Sequence, residues 1–224
     1  SHTYWMPLSS LVSSAGILLT GSDGYFSARI LFLILAATLP PLTAFLAIQL
    51  SISEQVSVQV RRSVLAGLLA LFPGFYLIFS TGTETFTLYM ILGSLFLTTA
   101  FSRCWHFLLR FLCLGVLAGL MHLTRADGIL CLAAAICIGV WYLFSAKKSI
   151  REYVFNGMGI LLSLSLGYLA IMMPWYLRNL EVFGSIFPPG GSLTLWLIDY
   201  DQTFVYPSSE LNFQNWLDMG WKYH

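Results

Sequence analysis

Apolar segments long enough to cross a membrane recur along this chain of 224 residues, and short polar connections separate them. A helix needs about 20 apolar residues to cross the hydrocarbon core of a bilayer. The segments approach or exceed that length at residues 28–50, 63–80, 86–101, 107–124, 129–146 and 153–176. Charged residues make up only 9% of the chain, against roughly 25% in soluble domains. The pattern predicts an all-α polytopic protein, a transmembrane helical bundle of about six spans.

The two ends of the chain have the composition of surface or loop segments. Ahead of the first span, Leu8 to Leu19 predict a short helix at the membrane interface, because Pro7 and glycines interrupt this stretch. Past the sixth span, acidic and aromatic residues mix, and the Pro- and Gly-rich stretch at 183–192 breaks any helix. We therefore expect a transmembrane domain at 1–176 and an extracytoplasmic loop region at 177–224. The loop region is either a lid over an outward cavity or a solvated connector.

The distribution of basic residues predicts the orientation of the spans. Successive connections lie on alternate sides of a membrane, and cytoplasmic connections carry the excess of Lys and Arg. One side receives the dense clusters, namely Arg61, Arg62, Arg103, Arg110, Lys147, Lys148 and Arg151, whereas the other receives only Arg29, Arg125, Arg178 and Lys222. The first side is therefore predicted to be cytoplasmic. Both termini and the polar connection at 121–128 are then expected to face outward.

Four charged residues on the predicted outer side are candidates for a binding site. Ionisable groups at membrane depth are costly and often functional, and an arginine fork can bind a phosphate through two parallel hydrogen bonds. The candidates are Glu84, Arg125, Asp127 and Arg178. Each candidate also has a structural interpretation that stays open. Thr83 can cap the third span with Glu84 in its first turn, Arg125 can complement the carboxyl end of the fourth span, and Asp127 can cap the fifth. Arg178 can be an interfacial anchor beside Trp175.

Histidines, glycines and cysteines have simpler interpretations. His122, inside the fourth span, is expected to form a helix-packing hydrogen bond, whereas His2 and Tyr4 stand ahead of the first span and are candidates for the same outer cavity. The small-residue spacings Gly115/Gly119 and Gly67/Gly74 predict close helix packing. The four cysteines lack the spacing of a zinc site, so we expect small buried hydrophobes at Cys104, Cys113, Cys131 and Cys137.

Several short motifs resemble those of the bacterial integral-membrane glycosyltransferases of the GT-C superfamily. These enzymes include the protein O-mannosyltransferases and the aminoarabinose transferase of lipid A. The resemblance rests on Tyr4-Trp-Met-Pro-Leu8 before Ala28-Arg29, on Thr83-Glu84-Thr85 and Thr124-Arg-Ala-Asp-Gly128, and above all on Pro174-Trp-Tyr-Leu-Arg-Asn-Leu-Glu-Val-Phe-Gly184 with Pro188-Pro-Gly-Gly191 and Trp196-Leu-Ile-Asp-Tyr200. It covers most of the chain and implies a GT-C-like helical domain at 1–176.

The resemblance also implies an activity and roles for the candidate residues. Such enzymes pass a sugar from a polyprenyl-phosphate lipid to a protein, lipid or glycan acceptor at the outer face of the plasma membrane. Arg125 and Arg178 would then bind the donor phosphate, and Glu84, Asp127, His2 and Tyr4 the sugar or the acceptor. An acidic residue in the first outer loop is the catalytic base of the family. Because the chain opens on Ser1 without an initiator Met, we expect an internal piece of a longer protein, with that base upstream of residue 1 and no catalytic residue assigned.

Other functions fit parts of the same pattern. No basic tract suited to nucleic acid is present, no cofactor is assigned, and a need for a divalent metal ion stays open. A segment of a transporter or flippase for a lipid-linked or anionic substrate is the chief alternative, because broken helices and intramembrane charges also mark substrate paths. A non-catalytic membrane scaffold whose outer loop binds a partner is the third interpretation.

Overall fold

The computed structural model describes residues 6–51, 55–72, 74, 76–102, 106–145, 149–187, 196–197 and 211–218. Every regular element within these ranges is helical, so the all-α class is confirmed. The helices are α1 (Leu8–Thr20), α2 (Tyr25–Ala37), α3 (Leu39–Leu50), α4 (Val56–Ala70), α5 (Tyr76–Ser80), α6 (Thr85–Phe101), α7 (Phe107–Thr124), α8 (Ile129–Ser145), α9 (Ile150–Phe183) and α10 (Phe213–Asp218), with a 3-10 turn at Ala126–Gly128. The chain forms two compact units, a main unit of Met6–Met172 and a second unit of Ser1–Trp5 and Met173–His224.

Four helices in the described part are long and apolar enough to cross a membrane, as expected of an integral membrane protein. They are Tyr25–Leu50, which joins α2 and α3, Phe107–Thr124, Ala126–Ser145 and Ile150–Phe183. The helices Leu8–Thr20 and Thr85–Phe101 are apolar but shorter. The helix predicted at 8–19 and the apolar segments predicted at 86–101, 107–124 and 129–146 thus match observed helices closely.

The predicted second span at 63–80 is wrong as a single helix. The structure contains α4, which begins seven residues before Ser63, and the short α5, with a break after Ala70. Gly74 lies in this break with a φ of 60°, a left-handed conformation that glycine adopts without a steric penalty. In the sequence, the dipeptide Pro73-Gly74 is a strong turn signal. The apolar residues on either side of it therefore do not form one continuous helix.

The tandem prolines Pro40 and Pro41 lie within the first predicted span, 28–50, and the structure has two helices there. Helix α2 ends at Ala37 and α3 begins at Leu39, so Pro40 and Pro41 lie in the first turn of α3. The missing N–H of a proline costs little in a first turn, where no intrahelical acceptor exists. The hydroxyl of Thr38 donates a hydrogen bond to the carbonyl of Leu35 at 2.7 Å. The prolines therefore begin a new helix rather than bend an existing one.

Helix α7 is the centre of the main unit. Half of the residues in its apolar stretch are buried, against 6% of those in the most apolar stretch of Tyr25–Leu50. The helix packs against α1, α6 and α8. Glycines bring it into backbone contact with α9: a Cβ at Gly115 would overlap the carbonyl of Leu164, and a Cβ at Gly167 would overlap that of Leu112. The predicted close packing at Gly115 and Gly119 is confirmed, because only glycine permits this approach.

The other predictions for small residues are confirmed only in part. A Cβ at Gly67 would lie 3.2 Å from the Cβ of Ala44 in α3, so Gly67 packs closely, whereas Gly74 has no neighbour within 4 Å and serves a turn. Cys113 and Cys131 are half-buried, but Cys137 is exposed, so its predicted burial is wrong. Its neighbours Ile136, Val140 and Trp141 on α8 are exposed as well. Cys104 lies outside the described residues.

Helix α9 is longer than the span predicted at 153–176. It continues through Pro174 to Phe183, so residues 177–183, assigned to the loop region, are helical. At 1.5 Å per residue its 34 residues extend about 50 Å, more than the roughly 30 Å hydrocarbon core. One proline removes a single helical donor, and the helix stops only where Gly184 adopts a φ of 65° and its N–H caps the carbonyl of Leu180 at 3.0 Å.

Contacts of three arginines define two ends of the main unit. At one end, which we call the Arg125 end, the Nε of Arg29 near the start of α2 donates to the carbonyl of Thr81. The guanidinium of Arg125 lies 5.8 Å from the ring of Phe86 at the start of α6. At the opposite, Arg110 end, Arg110 donates to the carbonyl of Ser102 at 3.3 Å. The described contacts thus place Thr81 and Phe86 at the Arg125 end and Ser102 at the Arg110 end, whereas the side of the membrane that each end faces stays a prediction.

Candidate functional site

The connection between α7 and α8 presents Arg125 and Asp127 side by side. Arg125 follows the last residue of α7 in an extended conformation, and its N–H still donates to the carbonyl of Met121 at 3.0 Å. The 3-10 turn then closes with a hydrogen bond from the Gly128 N–H to the Arg125 carbonyl at 2.9 Å. Gly128 is buried, and a Cβ there would overlap the backbone of Met121 and His122. Glycine therefore lets the turn fold back onto the end of α7.

Arg125 and Asp127 form a two-point ion pair. The Nε of Arg125 lies 3.1 Å from Oδ1 of Asp127, and its Nη2 lies 3.0 Å from Oδ2. The side chains are 40% and 49% exposed, so the pair faces solvent or lipid headgroups. The hydrogen bonds to Asp127 raise the pKa of Arg125 above its usual value. The pair occupies only one edge of the guanidinium, and Nη1 meets no hydrogen-bond acceptor among the described residues.

Two aromatic rings of α6 support the guanidinium of Arg125. Its central carbon lies 5.8 Å from the ring centroid of Phe86 and 5.7 Å from that of Tyr89. An arginine above an aromatic face gains a cation–π attraction that keeps the planar fork in place. The hydroxyl of Tyr89 in turn lies 3.9 Å from the Sγ of Cys131 in α8. Residues of three successive helices thus fix the position of Arg125.

A second guanidinium at the same end was not singled out from the sequence. Arg29, in the second turn of α2, is half-buried and bonds through Nε to the carbonyl of Thr81 in the loop before α6. No acidic side chain in the described part pairs with it. A cation near the amino end of a helix opposes the helix macrodipole, and this unfavourable placement was the signal that could have identified Arg29.

An apolar cavity of about 650 Å³ adjoins these residues. It lies among α2, α3, the end of α4, α5 and α6, and its lining includes Leu33, Pro40, Leu77, Thr81, Tyr89 and Gly93. Thr81 is the partner of Arg29, and Tyr89 is one of the rings below Arg125. Both guanidinium groups therefore contact residues of the cavity wall. The break between α2 and α3 is also part of this wall, through Leu39 and Pro40.

The two carboxylates predicted at the site have different surroundings. Both carboxylate oxygens of Asp127 accept hydrogen bonds from Arg125, and no hydrogen bond from a backbone N–H of α8 to Asp127 is present among the described residues. Glu84 itself precedes α6 as the N-cap, without a side-chain capping hydrogen bond, so the expected cap at Thr83 is wrong. Glu84 is exposed and has no partner among the described residues. It stands two residues before Phe86, which contacts Arg125.

Arg178 belongs to the second unit, in the last turns of α9. Its guanidinium lies 4.8 Å from the ring of Trp175 and 5.2 Å from that of Phe183. It donates to Oδ1 of Asn179 at 3.1 Å, and the fully buried Asn179 donates to the carbonyl of Ile186 at 3.0 Å. These contacts agree with the anchor role beside Trp175. The predicted joint use of Arg125 and Arg178 stays a prediction.

Of the two histidines considered in the sequence analysis, His122 lies within the described residues and His2 does not. Nδ1 of His122 lies 2.6 Å from the hydroxyl of Tyr168 in α9, and both residues are buried. The predicted helix-packing hydrogen bond of His122 is confirmed. His2, together with Tyr4, lies outside the described residues, so their assignment to the outer cavity stays a prediction.

Metal-binding residues and similarity to known proteins were the two remaining sources of information on this site. Within the described ranges, no group of three His, Cys, Asp or Glu side chains is placed to hold a metal ion. Comparison of the chain with protein-family models, with characterised proteins and with solved structures found no match.

Proposed function

We propose that this chain forms the donor-binding part of a membrane glycosyltransferase that uses a polyprenyl-phosphate sugar. The observation that carries the proposal is the position of the Arg125 guanidinium above Tyr89, a residue that also lines the apolar cavity. A lipid-linked donor has a phosphate joined to a long hydrocarbon chain. A cation beside an apolar cavity of about 650 Å³ is complementary to both parts.

The geometry of Arg125 suits a phosphate that carries increasing negative charge. In the proposed reaction, an acceptor oxygen forms a bond to the anomeric carbon while the bond from that carbon to the phosphate oxygen breaks. The bonding electrons pass to the phosphate, and the acceptor loses its proton to a base that we do not assign. Fixed cationic donors stabilise such a leaving group better than water does. The Nη1 group of Arg125, which has no acceptor among the described residues, would donate to the leaving phosphate. Arg29 is a second cation at the same end.

The cavity accommodates the start of the prenyl chain. Its lining is mainly aliphatic and includes small residues such as Ala36, Ala37 and Gly93, which leave room for a branched chain. The prenyl group would enter between α3 and α6 and remain in contact with lipid. Glu84 is the carboxylate left to bind sugar hydroxyls, because Asp127 already holds Arg125. Arg178 is retained as a second donor-binding candidate.

The proposal includes six spans and an outward-facing Arg125 end. It is supported by the charge pattern of the sequence, because Arg61, Arg62 and Arg151 lie near the starts of α4 and α9, after connections that are predicted to be cytoplasmic. Single cysteines introduced at Gly82 and at Ser149, in a background without native cysteine, test the orientation in intact cells. A membrane-impermeant maleimide should label Gly82→Cys and leave Ser149→Cys unmodified until the cells are opened. The reverse pattern would refute the orientation.

Binding of a polyprenyl phosphate tests the site itself. The full chain in detergent micelles should bind a fluorescent polyprenyl phosphate much more tightly than the matching polyprenol. Charge-assisted hydrogen bonds contribute about 1.5–3 kcal/mol, and partial exposure reduces this value, so Arg125→Gln should weaken phosphate binding about tenfold. Arg61→Gln, at an exposed position of α4, is the matched control. Equal binding of phosphate and alcohol, or equal loss in both variants, would contradict the proposal.

Transfer of the sugar is tested separately with donors whose sugar is radiolabelled. Polyprenyl-phosphate mannose and polyprenyl-phosphate aminoarabinose are the donors of the two kinds of enzyme whose motifs the sequence resembles. Release of polyprenyl phosphate together with a labelled acceptor would support glycosyl transfer. Arg178→Gln in the same two assays shows whether Arg178 takes part in donor binding.

A transporter or flippase is the second candidate function. It is favoured by the break between α2 and α3 at Thr38, since discontinuous helices line substrate sites in many transporters. Reconstitution into vesicles with a fluorescent lipid-linked sugar distinguishes the two functions. A flippase moves the intact lipid between leaflets, whereas the enzyme cleaves the bond between sugar and phosphate.

A further inference from the structure

A second cavity lies at the Arg110 end of the main unit. Its volume is about 840 Å³, and it is bounded by the last turns of α6, the start of α7 and the last turns of α8. Most of its lining is aliphatic or aromatic, including Leu97, Ile138, Trp141 and Tyr142. Arg110 is the one charged residue among the described residues that line it. Leu97 is the one described residue that lines both this cavity and the apolar cavity of the proposed donor site, and the other lining residues differ.

The guanidinium of Arg110 is held between aromatic rings. It lies 5.3 Å from the ring centroid of Phe111 and 5.1 Å from that of Tyr142. The ring of Tyr142 is stacked on Phe107 at 5.7 Å with an interplanar angle of 13°. One hydrogen bond, from Nη1 to the carbonyl of Ser102 at 3.3 Å, completes these contacts. The cation is thus fixed at the edge of the cavity.

The charge of Arg110 is not compensated within the described part of the protein. No carboxylate pairs with it there, and its Nε is buried without an acceptor. Arg110 also lies in the first turn of α7, where the positive end of the helix dipole opposes a cation. An anion bound to the remaining guanidinium N–H groups would compensate both effects. A negatively charged ligand at this position would therefore stabilise the cation beyond what its contacts with Ser102, Phe111 and Tyr142 provide.

We propose that this cavity binds an anionic phospholipid, with the phosphate on Arg110 and an acyl chain along Leu97, Ile138 and Trp141. Arg110 and Arg125 are separated by 15 residues of α7, or about 22 Å at 1.5 Å per residue. A hydrocarbon core is about 30 Å thick, so each arginine can reach a different headgroup layer by extending its side chain. A free phosphate would use the cation but leave the apolar walls unoccupied. The site does not depend on the proposed glycosyl transfer.

Lipid binding to the full chain in detergent micelles tests this proposal. Phosphatidylglycerol and phosphatidylcholine with identical acyl chains are titrated, and retained lipid is counted by native mass spectrometry. We expect the protein to prefer phosphatidylglycerol, and Arg110→Gln to weaken that binding about tenfold without changing the binding of phosphatidylcholine. Arg61→Gln, which removes an exposed arginine outside the cavity, should leave both affinities unchanged. An unchanged affinity in Arg110→Gln, or an equal loss in Arg61→Gln, would overturn the proposal.

Two further measurements keep the test decisive if Arg110→Gln does not fold. Ala100→Phe fills the cavity from α6 while Arg110 is retained, so it should weaken phosphatidylglycerol binding by a similar factor. Inorganic phosphate should fail to displace the bound lipid at concentrations far above that of the lipid. Full binding by Ala100→Phe would overturn the acyl-chain contact. Effective competition by phosphate would show an anion site without lipid selectivity, and the proposal would be withdrawn.

Discussion

The buried hydrogen bond between His122 and Tyr168 offers a quantitative test of how the main unit is held together. The two side chains join α7 to α9 with a Nδ1-to-hydroxyl distance of 2.6 Å, and the residues are only 4% and 7% exposed. Tyr168→Phe removes the hydroxyl but keeps the ring that stacks on His122 at 6.0 Å. The buried ring nitrogen then has no partner, which costs about 1–3 kcal/mol. Hydrogen bonds between membrane helices average about 0.6 kcal/mol and reach about 1.7, so we expect a loss of about 1–2 kcal/mol.

A double-mutant cycle separates the hydrogen bond from the packing. His122→Phe, Tyr168→Phe and the double variant are unfolded in mixed micelles with increasing sodium dodecyl sulfate, and helix content is followed by circular dichroism. The double variant replaces both polar partners by apolar rings, so its loss should be smaller than the sum of the single losses by about 0.6–1.7 kcal/mol. Tyr25→Phe, at a residue that is 64% exposed, should leave stability unchanged. Losses that add within about 0.3 kcal/mol would refute the reasoning.

Two glycines give further predictions. Gly115→Ala places a Cβ against the backbone of Leu164 and should destabilise the protein by about 1–3 kcal/mol in the same unfolding assay. The control Gly157→Ala meets only the flexible end of Leu143 at 3.6 Å and should be neutral or slightly stabilising; equal effects would contradict the packing argument. Gly128→Ala should displace the turn of Arg125 and weaken polyprenyl phosphate binding several-fold without removing a charge, as measured by fluorescence. Unchanged binding would show that the turn does not position Arg125.

Features that depend on residue size and polarity could be predicted from the sequence. The apolar segments at 107–124 and 129–146 became α7 and α8 nearly as predicted, because most of their residues are apolar and the few polar ones do not break a helix. The spacing of Gly115 and Gly119 predicted close packing, since backbone contact between helices requires the absence of a side chain. The polar residues at 121–128 similarly indicated a connection. Each of these inferences uses information carried by the residues themselves.

Features that depend on competition between local signals, or on distant contacts, were not predicted. Pro73-Gly74 interrupted an apolar stretch and separated α4 from α5, whereas Pro174 did not end α9, because the helix on both sides of Pro174 keeps its other hydrogen bonds. The hydrogen bond of Arg29 to Thr81 joins residues 52 positions apart. No local pattern indicates such a contact. The cavities likewise arise from the packing of several helices.

The contrast between Glu84 and Asp127 leads to a prediction about how the proposed donor is recognised. Asp127 uses both carboxylate oxygens on Arg125, so Asp127→Asn should alter the binding of a polyprenyl phosphate and of its sugar-bearing form by the same factor. Glu84 is exposed and has no partner among the described residues. If it binds sugar hydroxyls, Glu84→Gln should weaken only the sugar-bearing lipid, by about fivefold for the roughly 1 kcal/mol of a solvent-exposed hydrogen bond.

Fluorescence titration of each variant with both lipids measures how many-fold the substitution weakens the binding of the polyprenyl phosphate and of its sugar-bearing form. The two substitutions are matched, because each replaces a carboxylate by an amide of the same shape at an exposed position of the Arg125 end. Asp127 acts through the position of the guanidinium, and therefore through the phosphate that both lipids share. Glu84 acts through a group that only one lipid carries. If Asp127→Asn weakened only the binding of the sugar-bearing lipid and Glu84→Gln had no effect, Asp127 and not Glu84 would be the group that binds the sugar. The ion pair between Asp127 and Arg125 would then have to open when the donor binds.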